Sequence, residues 1–400
     1  MNLAGLSLRY LVSRPMAALL NLLLLALGVA SIGFVLLVGH QVQRSFERDL
    51  AGIDLVVGAK GSPMQLILSG VFQVDVPPGN VPLAEVRELA GHPMVGQVIP
   101  LSMGDSFRGL RIVGTTPDYL ALYGLSPAQG RVDFTPMQAM LGAQAARSTG
   151  LAVGQRFVGQ HGLSGGHEHG DTPYTVAGVL APCGCVADRL VLTSLESVWR
   201  VHEDATALDE EDRRLLEAER EVTMALVRYR TPLAAVTLPR LVNATTSMQA
   251  AAPAVEVTRL LHILGVGGDV LRGIGAVLLA TAGLSVFVAL WHAVRERQGD
   301  LAMLRLLGAP PARLAALVLL EAAWLSVLAS LLGLAAAHAG VHLLGSLLAG
   351  RQSLPLTGAT WAPGELWVPV AALAMAGLAA LIPAASAYRL DVARLLQNPR

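Results

Sequence analysis

Charged residues are scarce in this 400-residue sequence, where Asp, Glu, Lys and Arg together make up 14%. Soluble domains average about 25%, so the deficit argues against an ordinary soluble enzyme and against a disordered chain. The 29 basic residues are balanced by 29 acidic ones, which argues against a nucleic-acid-binding protein. Two cysteines are too few for a disulfide framework. With 53% hydrophobic residues, the composition indicates an integral membrane protein with a sizeable polar part.

Lysine is almost absent, since Lys60 is the only one in the chain. A nucleotide-binding P-loop needs Gly-Lys followed by Ser or Thr, and Lys60 is preceded by Ala59. The sequence therefore contains no Walker A motif, and any ATP must be hydrolysed by another chain. It also lacks the His-Glu-x-x-His pattern of zinc-dependent hydrolases. We expect no catalytic residues in this chain and no bound cofactor, apart from a candidate zinc ion considered below.

Long apolar windows without charge are the strongest structural signal. A bilayer core of about 30 Å requires about 20 apolar residues in a helix. Four windows reach that length: Pro15–Gln43, Gly273–Val294, Ala322–Gly350 and Leu366–Tyr388. The first is longer than the roughly 7–15 apolar residues of a cleaved signal peptide. We therefore predict a membrane protein with four transmembrane α-helices.

The windows divide the chain into three parts. Residues 1–45 are predicted to form a cytoplasmic N-terminus and transmembrane helix 1, and residues 269–400 to form helices 2–4 with a cytoplasmic loop at 295–313. Residues 46–268 are predicted to form a large mixed α/β domain between helices 1 and 2. Arginines near the helix ends predict cytoplasmic termini and a periplasmic domain by the positive-inside rule: Arg9, Arg14, Arg295, Arg297, Arg305, Arg313, Arg389, Arg394 and Arg400.

Hydrophobic periodicity predicts the elements of the α/β domain. Strands are predicted at Val95–Pro100, Gly109–Gly114 and Tyr174–Leu180. Helices are predicted at Met137–Arg147 and Leu195–Glu203, with a highly charged helix at Asp209–Glu221.

One acidic residue, Glu321, borders the third apolar window. A carboxylate at the bilayer centre costs at least about 2.5–3.5 kcal/mol. Two interpretations stay open: a position near the cytoplasmic interface, or a polar contact within the helix bundle.

The cytoplasmic segment from Arg295 to Pro310 (RERQGDLAMLRLLGAP) is the most distinctive motif. Leu301, Leu304 and Leu307 recur at helical spacing, and Gly308 is a typical helix stop. The segment resembles the R-E-R-x-x-E-I-A-x-L-R-x-L-G-A motif of FtsX/MacB-type ABC transporter permeases, with Asp300 where Glu is usual.

Other parts of the chain are similar to the same family. Residues 54–75 (DLVVGAKGSPMQLILSGVFQVD) resemble the opening of the periplasmic domain in a MacB-like subgroup, and residues 383–396 (PAASAYRLDVARLL) resemble the family's ending. The order of one helix, a large domain and three helices is similar too. MacB itself carries a fused ATPase, which this chain lacks.

The resemblance implies a mechanism and a set of partners. It implies a homodimer in the bacterial inner membrane, in contact with membrane lipid, in which each subunit binds a separate ABC ATPase subunit that holds the ATP. The work done would be export, extraction or mechanotransmission, with a periplasmic protein as a candidate partner. Small residues such as Gly28 and Ser31 are expected at the dimer seam. The residues implied to couple to the ATPase are Arg295, Glu296, Arg297, Asp300, Leu304, Arg305 and Gly308.

A cluster of histidines and cysteines lies in the external domain. His161, His167 and His169 occur in a Gly-rich stretch, and Cys183 and Cys185 follow. Two His and two Cys would suit tetrahedral zinc. Cys-x-Cys is tighter than usual zinc spacing, however, and thiols can pair in an oxidising compartment. A metal site, a disulfide and a histidine-bearing loop without a ligand all stay open.

Two other functions therefore remain alternatives to an ATP-driven permease. One is a component of a periplasmic zinc-handling system. The other is a non-transporting scaffold that activates a periplasmic hydrolase.

Overall fold

The structure is a computed structural model that describes residues 3–13, 15–162, 172–203, 217, 219–348 and 356–390. The chain forms two compact units. The membrane unit comprises Met1–Val42, Ile263–Gly350 and Leu356–Arg400, and the α/β unit comprises Gln43–His262 and Arg351–Pro355.

The described helices follow the chain in this order. They are α1 (Leu3–Val12), α2 (Pro15–Asp49), α3 (Pro63–Gly70), α4 (Leu83–Ala90), α5 (Asp118–Leu122), α6 (Ala143–Thr149), α7 (Leu195–Glu203), α8 (Ala234–Thr245), α9 (Pro253–Glu296), α10 (Gln298–Leu306), α11 (Pro311–Leu348) and α12 (Trp367–Tyr388).

Four of these helices are long and apolar enough to cross a membrane. The spans are Pro15–Asp49, Gly267–Glu296, Pro311–Leu348 and Trp367–Tyr388. They contain or overlap the four charge-free windows, so the prediction of four transmembrane helices with an α/β domain between the first two is confirmed.

The described strands belong to the α/β unit. They are β1 (Leu55–Ala59), β2 (Val81–Pro82), β3 (Val95–Phe107), β4 (Leu110–Thr115), β5 (Pro127–Gly130), β6 (Gln138–Leu141), β7 (Arg156–Phe157), β8 (Gln160–His161), β9 (Tyr174–Leu180), β10 (Val191–Ser194), β11 (Glu221–Val222), β12 (Met224–Tyr229) and β13 (Met248–Ala251).

Among the described residues, eleven strands form one mixed sheet in the order β13-β1-β12-β3-β4-β10-β6-β9-β5. The other two strands, β7 and β8, lie outside this order: β7 pairs with β9, and β8 pairs with β3. The β4–β10 and β6–β9 pairs are parallel, whereas β3 pairs antiparallel with β12, β4 and β8.

Both faces of the central strands are covered. Leu55 and Val57 of β1 pack into one apolar cluster with residues of α4 and α8. Val56, the residue between them, packs into another cluster with residues of α3. Successive residues of a strand point to opposite faces of the sheet. Since all three side chains are fully buried, both faces of β1 are covered.

One predicted element of the α/β unit is wrong in part. Met137–Arg147 was expected to be a single helix, but Gln138–Leu141 is strand β6 and the helix begins at Ala143. β6 lies between β10 and β9 in the sheet, and a strand covered on both faces shows the same continuous apolar run as a buried helix. Most of the predicted charged helix Asp209–Glu221 lies outside the described residues.

Small residues bring the spans of the membrane unit close together. A Cβ atom added at Gly28 of α2 would lie 3.2 Å from the backbone nitrogen of Leu279 in α9. Gly28 is buried and packs inside its own chain. Another span of the same chain occupies this side of Gly28, and the dimer seam expected near Gly28 and Ser31 stays a prediction.

Candidate functional site

The predicted coupling segment forms a short helix between two spans. α9 ends at Glu296, α10 covers Gln298–Leu306, and α11 begins at Pro311. Gly308 adopts a left-handed conformation with φ of +93°, which ends the helix at little cost because glycine has no Cβ. The backbone N–H of Ala309 then donates to the Leu304 carbonyl at 3.0 Å. The helix and its glycine stop agree with the sequence pattern.

α10 has a buried side and an exposed side. Leu301 and Ala302 are buried, and Leu301 packs with Leu314 and Val318 of α11. Leu304 is half-buried against the same cluster. The side chains that point outward from this segment form what we call the coupling face: Glu296, Asp300, Met303, Leu306 and Leu307.

Three of the five side chains of the coupling face are large, apolar and exposed. Met303 is 65% exposed, Leu306 62% and Leu307 83%. Adjacent exposed apolar side chains in a folded segment mark an interaction site more often than isolated ones do.

Among the residues expected to couple to the ATPase, Arg295, Glu296, Asp300 and Gly308 are exposed. Arg305 is half-buried. The guanidinium of Arg295 lies 5.1 Å from the ring centre of Trp291. These four exposed residues are therefore placed where a partner can reach them.

Arg297, expected in the same set, is directed inward instead. Its side chain is 11% exposed and its Nη1 lies 2.9 Å from Oε1 of Glu321. Its Nη2 donates to the carbonyl of Tyr10 at 2.9 Å, and the guanidinium lies 4.4 Å from the Tyr10 ring centre. We therefore assign Arg297 to the junction of α9 and α10 rather than to the docking surface.

This ion pair also bears on Glu321, whose distance from the cytoplasmic interface stays a prediction. The Glu321 side chain is 6% exposed and is paired with Arg297. It is therefore a polar contact within the helix bundle. Because Arg297 belongs to the loop between two spans, the pair connects the coupling segment to α11.

A second group of clustered polar side chains lies in the α/β unit. Strands β3 and β8 pair in a register that places His161 opposite Asp105. His161 Nδ1 lies 3.4 Å from Asp105 Oδ1, and His202 Nε2, from α7, lies 3.7 Å from the same oxygen. The two imidazole rings meet edge to face, with centres 5.5 Å apart.

The three side chains differ in burial. The Asp105 side chain is 1% exposed, whereas the His161 side chain is 61% exposed and that of His202 is 40% exposed. Burial, and then the charge of Asp105, raise the pKa of the neighbouring Tyr174 hydroxyl. The arrangement is therefore a fixed carboxylate beneath two accessible imidazoles.

This Asp–His cluster borders a cleft of about 440 Å³. His161 and His202 belong to the lining, and an added Cβ at Gly104 would lie 3.6 Å from His202 Nε2. The remaining residues that line the cleft are Asn80, Ser102, Met103, Val198, Trp199, Glu219, Arg220 and Glu221.

The metal residues expected from the sequence do not all meet here. His161 belongs to the cluster, and His167 and His169 lie outside the described residues. Cys183 and Cys185 form a disulfide with each other, and in this form they offer no thiolate. Asp188 accepts hydrogen bonds from the backbone of this turn, at 3.0 Å from Cys183 N and 2.7 Å from Gly184 N.

Sequence reasoning missed Asp105 and His202. Asp105 has no His, Cys or acidic residue near it in the sequence, and His202 is followed by Glu203 and Asp204 but by no His or Cys at a spacing typical of zinc sites. Only the register of β8 on β3 and the packing of α7 place them beside His161.

Comparison with known proteins gives the family. Residues 18–255 match the MacB-like periplasmic core domain, and residues 272–392 match the FtsX-like permease C-terminal domain. The comparison with curated proteins gives no significant match.

Two solved structures are similar to this chain. One is the periplasmic region of MacB from Actinobacillus actinomycetemcomitans, at 12% identity and a TM-score of 0.36, over 54% of this chain and 95% of that one. The other is the extracellular domain of the noncanonic ABC-type transporter YknZ from Gram-positive bacteria, at 15% identity and a TM-score of 0.31, over 50% of this chain and 98% of that one.

The two family matches follow the chain in the same order as the sheet and the last helices. The first match covers more than half of the chain and contains the whole described sheet. The second covers α10, α11 and α12. The chain therefore belongs to the FtsX/MacB-type ABC transporter permeases, with a MacB-like periplasmic core domain and an FtsX-like transmembrane domain.

Proposed function

We propose that this permease couples ATP hydrolysis on a separate ATPase chain to export, extraction or force transmission in the periplasm. The observation that carries the proposal is the coupling face. Met303, Leu306 and Leu307 are mostly exposed on a short helix between two spans, in a chain that has no Walker A motif.

The contacts of α10 explain how motion at this face would reach the membrane. Leu301 anchors the helix to α11 through the apolar cluster with Leu314 and Val318. Arg297 ties the start of the same segment to Glu321 of α11. Because the apolar cluster and the ion pair join α10 to α11, displacement of a docked ATPase would shift the two helices together.

The proposal includes an orientation and an assembly. Arginines flank the spans on the side of both termini and of the 295–313 loop, which supports cytoplasmic termini and a periplasmic α/β unit by the positive-inside rule. The family resemblance supports an inner-membrane homodimer with one ATPase subunit on each copy.

If the ATPase subunit docks on the coupling face, a charged substitution there should release it from the chain. We expect Leu307→Asp, or Met303→Asp, to lower the ATPase activity that co-purifies with the full-length chain by about tenfold or more, as for a residue central to an interface. The measurement is phosphate release by chain purified from the membranes of cells that naturally produce it.

Leu233→Asp is the matched control, because Leu233 is 66% exposed and lies in the α/β unit. It should leave the co-purifying activity unchanged, and all variants should insert into the membrane in normal amounts. Full ATPase recovery with Leu307→Asp and Met303→Asp would refute the docking role.

The orientation predicts the behaviour of reporter fusions. Alkaline phosphatase, which is active only in the periplasm, should be active when fused after His202 and inactive when fused after Asp300 or Arg400. A green fluorescent protein series at the same positions should give the opposite pattern. An inactive phosphatase at His202 would overturn the orientation.

A further inference from the structure

We propose that Asp105, His161 and His202 form a binding site for a divalent transition-metal ion, with zinc as the ion that this ligand set fits. Each residue offers one ligand atom, and the three atoms all lie within 4.8 Å of one another. The site uses two residues that the sequence pattern did not indicate, and it does not depend on the proposed ATPase coupling.

The spacing of the ligand atoms suits a small ion. Around tetrahedral zinc, with bonds of about 2.0–2.2 Å, neighbouring ligand atoms are about 3.3 Å apart. The distances from Asp105 Oδ1 are 3.4 Å to His161 Nδ1 and 3.7 Å to His202 Nε2. Small rotations of the two accessible imidazoles would bring both nitrogens and the carboxylate to this spacing.

The fold holds the ligands from three separate elements. Asp105 lies within the long strand β3, where its carboxylate is buried. His161 is placed opposite it by the register of β8. His202 lies near the end of α7, whose Val198 and Trp199 are buried. A site whose ligands are already positioned avoids much of the ordering cost of a loose loop, about 1–2 kcal/mol per residue.

The chemistry of the donors selects the class of ion. Imidazole nitrogen suits zinc, copper, iron and nickel, whereas calcium and magnesium prefer sites made entirely of oxygen. Two imidazoles and one carboxylate also leave one position of a tetrahedral ion unfilled. That position would face the cleft, where Glu219 and Glu221 lie.

A histidine–carboxylate ion-pair network without metal is the competing explanation. It requires protonated imidazoles, whereas a metal requires neutral ones. The two explanations therefore differ in whether the chain takes up an ion with nitrogen and oxygen ligands.

The test is a zinc titration of the full-length chain in detergent, purified with a tag that contains no histidine and kept without reductant. Under these conditions Cys183 and Cys185 stay paired and cannot contribute thiolates. We expect binding of about one Zn²⁺ per chain, followed by competition with a chromogenic chelator. X-ray absorption of the zinc-loaded chain should show nitrogen and oxygen neighbours and no sulfur.

Substitutions then assign the ligands. Asp105→Asn should weaken zinc binding at least about tenfold, since it removes the anionic ligand but preserves the shape. His161→Ala combined with His202→Ala should abolish binding at the site. His92→Ala serves as the matched control, because His92 lies in the same unit outside the cluster, and it should bind zinc as the unmodified chain does.

Thermal unfolding without zinc shows that each variant is folded before it is titrated. Added zinc should raise the melting temperature of the unmodified chain and of His92→Ala. It should not raise that of the double histidine variant. Absence of zinc binding by the unmodified chain would overturn the proposal. So would a zinc affinity of Asp105→Asn and of the double histidine variant equal to that of the unmodified chain, or sulfur neighbours in the absorption spectrum.

Discussion

Replacement of Glu321 by alanine is expected to destabilise the full-length chain by about 3–5 kcal/mol, the usual cost of removing one partner of a buried ion pair. The Arg297 and Glu321 side chains are 11% and 6% exposed, and their charged atoms lie 2.9 Å apart. Without the carboxylate, the partners left to the buried guanidinium among the described residues would be the Tyr10 carbonyl and ring and Ser13. The measurement is thermal unfolding of the detergent-solubilised chain, followed by tryptophan fluorescence.

Two further variants separate the charge from the packing. Arg297→Met combined with Glu321→Met should be far more stable than Glu321→Ala, because it removes both charges and fills similar volume. Glu88→Ala, at an exposed position of α4, should change stability by less than about 0.5 kcal/mol. A melting temperature of Glu321→Ala equal to that of the unmodified chain would show that the pair contributes nothing.

Gly333→Leu is expected to disrupt the packing of the membrane unit. A Cβ atom at Gly333 of α11 would lie 2.6 Å from the carbonyl oxygen of Ala26 and 2.7 Å from Cβ of Val29, both in α2. Real Cβ atoms do not come this close to other atoms, so the two helices would have to separate. Close approach at small residues is a main source of helix association in membranes. Overpacking of this kind costs about 1–3 kcal/mol for one added methyl group, as in Gly333→Ala, and more for leucine.

Gly377 in α12 provides the control, since an added Cβ there meets no atom within 4 Å. Gly377→Ala should be neutral or slightly stabilising, because glycine within a helix costs about 0.5–1 kcal/mol relative to alanine. The readouts are the melting temperature and the rate of proteolysis in detergent. If Gly333→Ala and Gly377→Ala behave alike, the close contact between α2 and α11 is not important for stability.

The effects of these substitutions depend on contacts that no local pattern reveals. The local sequence around a glycine in an apolar helix does not show whether that glycine faces lipid, another span or a second subunit. Gly28 and Gly377 show this, because the first packs against the backbone of α9 and the second has open space beside it. Arg297 likewise belongs by its sequence to a row of arginines near the membrane, but it alone of this row pairs with Glu321 among the described residues.

The four spans and the family could be predicted from the sequence alone. A span needs only length and the absence of charge, because the bilayer imposes that requirement on each helix separately. The coupling helix was also predictable, since its leucine spacing and Gly308 act within a few residues. Helix α7 and strand β9 were predicted for the same reason, as local periodicity covers each whole element.

The contacts between polar side chains, in contrast, depend on how distant parts of the chain pack. Asp105, His161 and His202 belong to a long strand, a two-residue strand and a helix, and only His161 belongs to the histidine and cysteine cluster seen in the sequence. Their meeting depends on the strand pairing of β3 with β8 and on the packing of α7 over the sheet. The same holds for Glu321 and Arg297. Pairing and packing bury apolar surface across the whole unit, so the positions of these few charged groups follow from the global fold and not from their own neighbours in sequence.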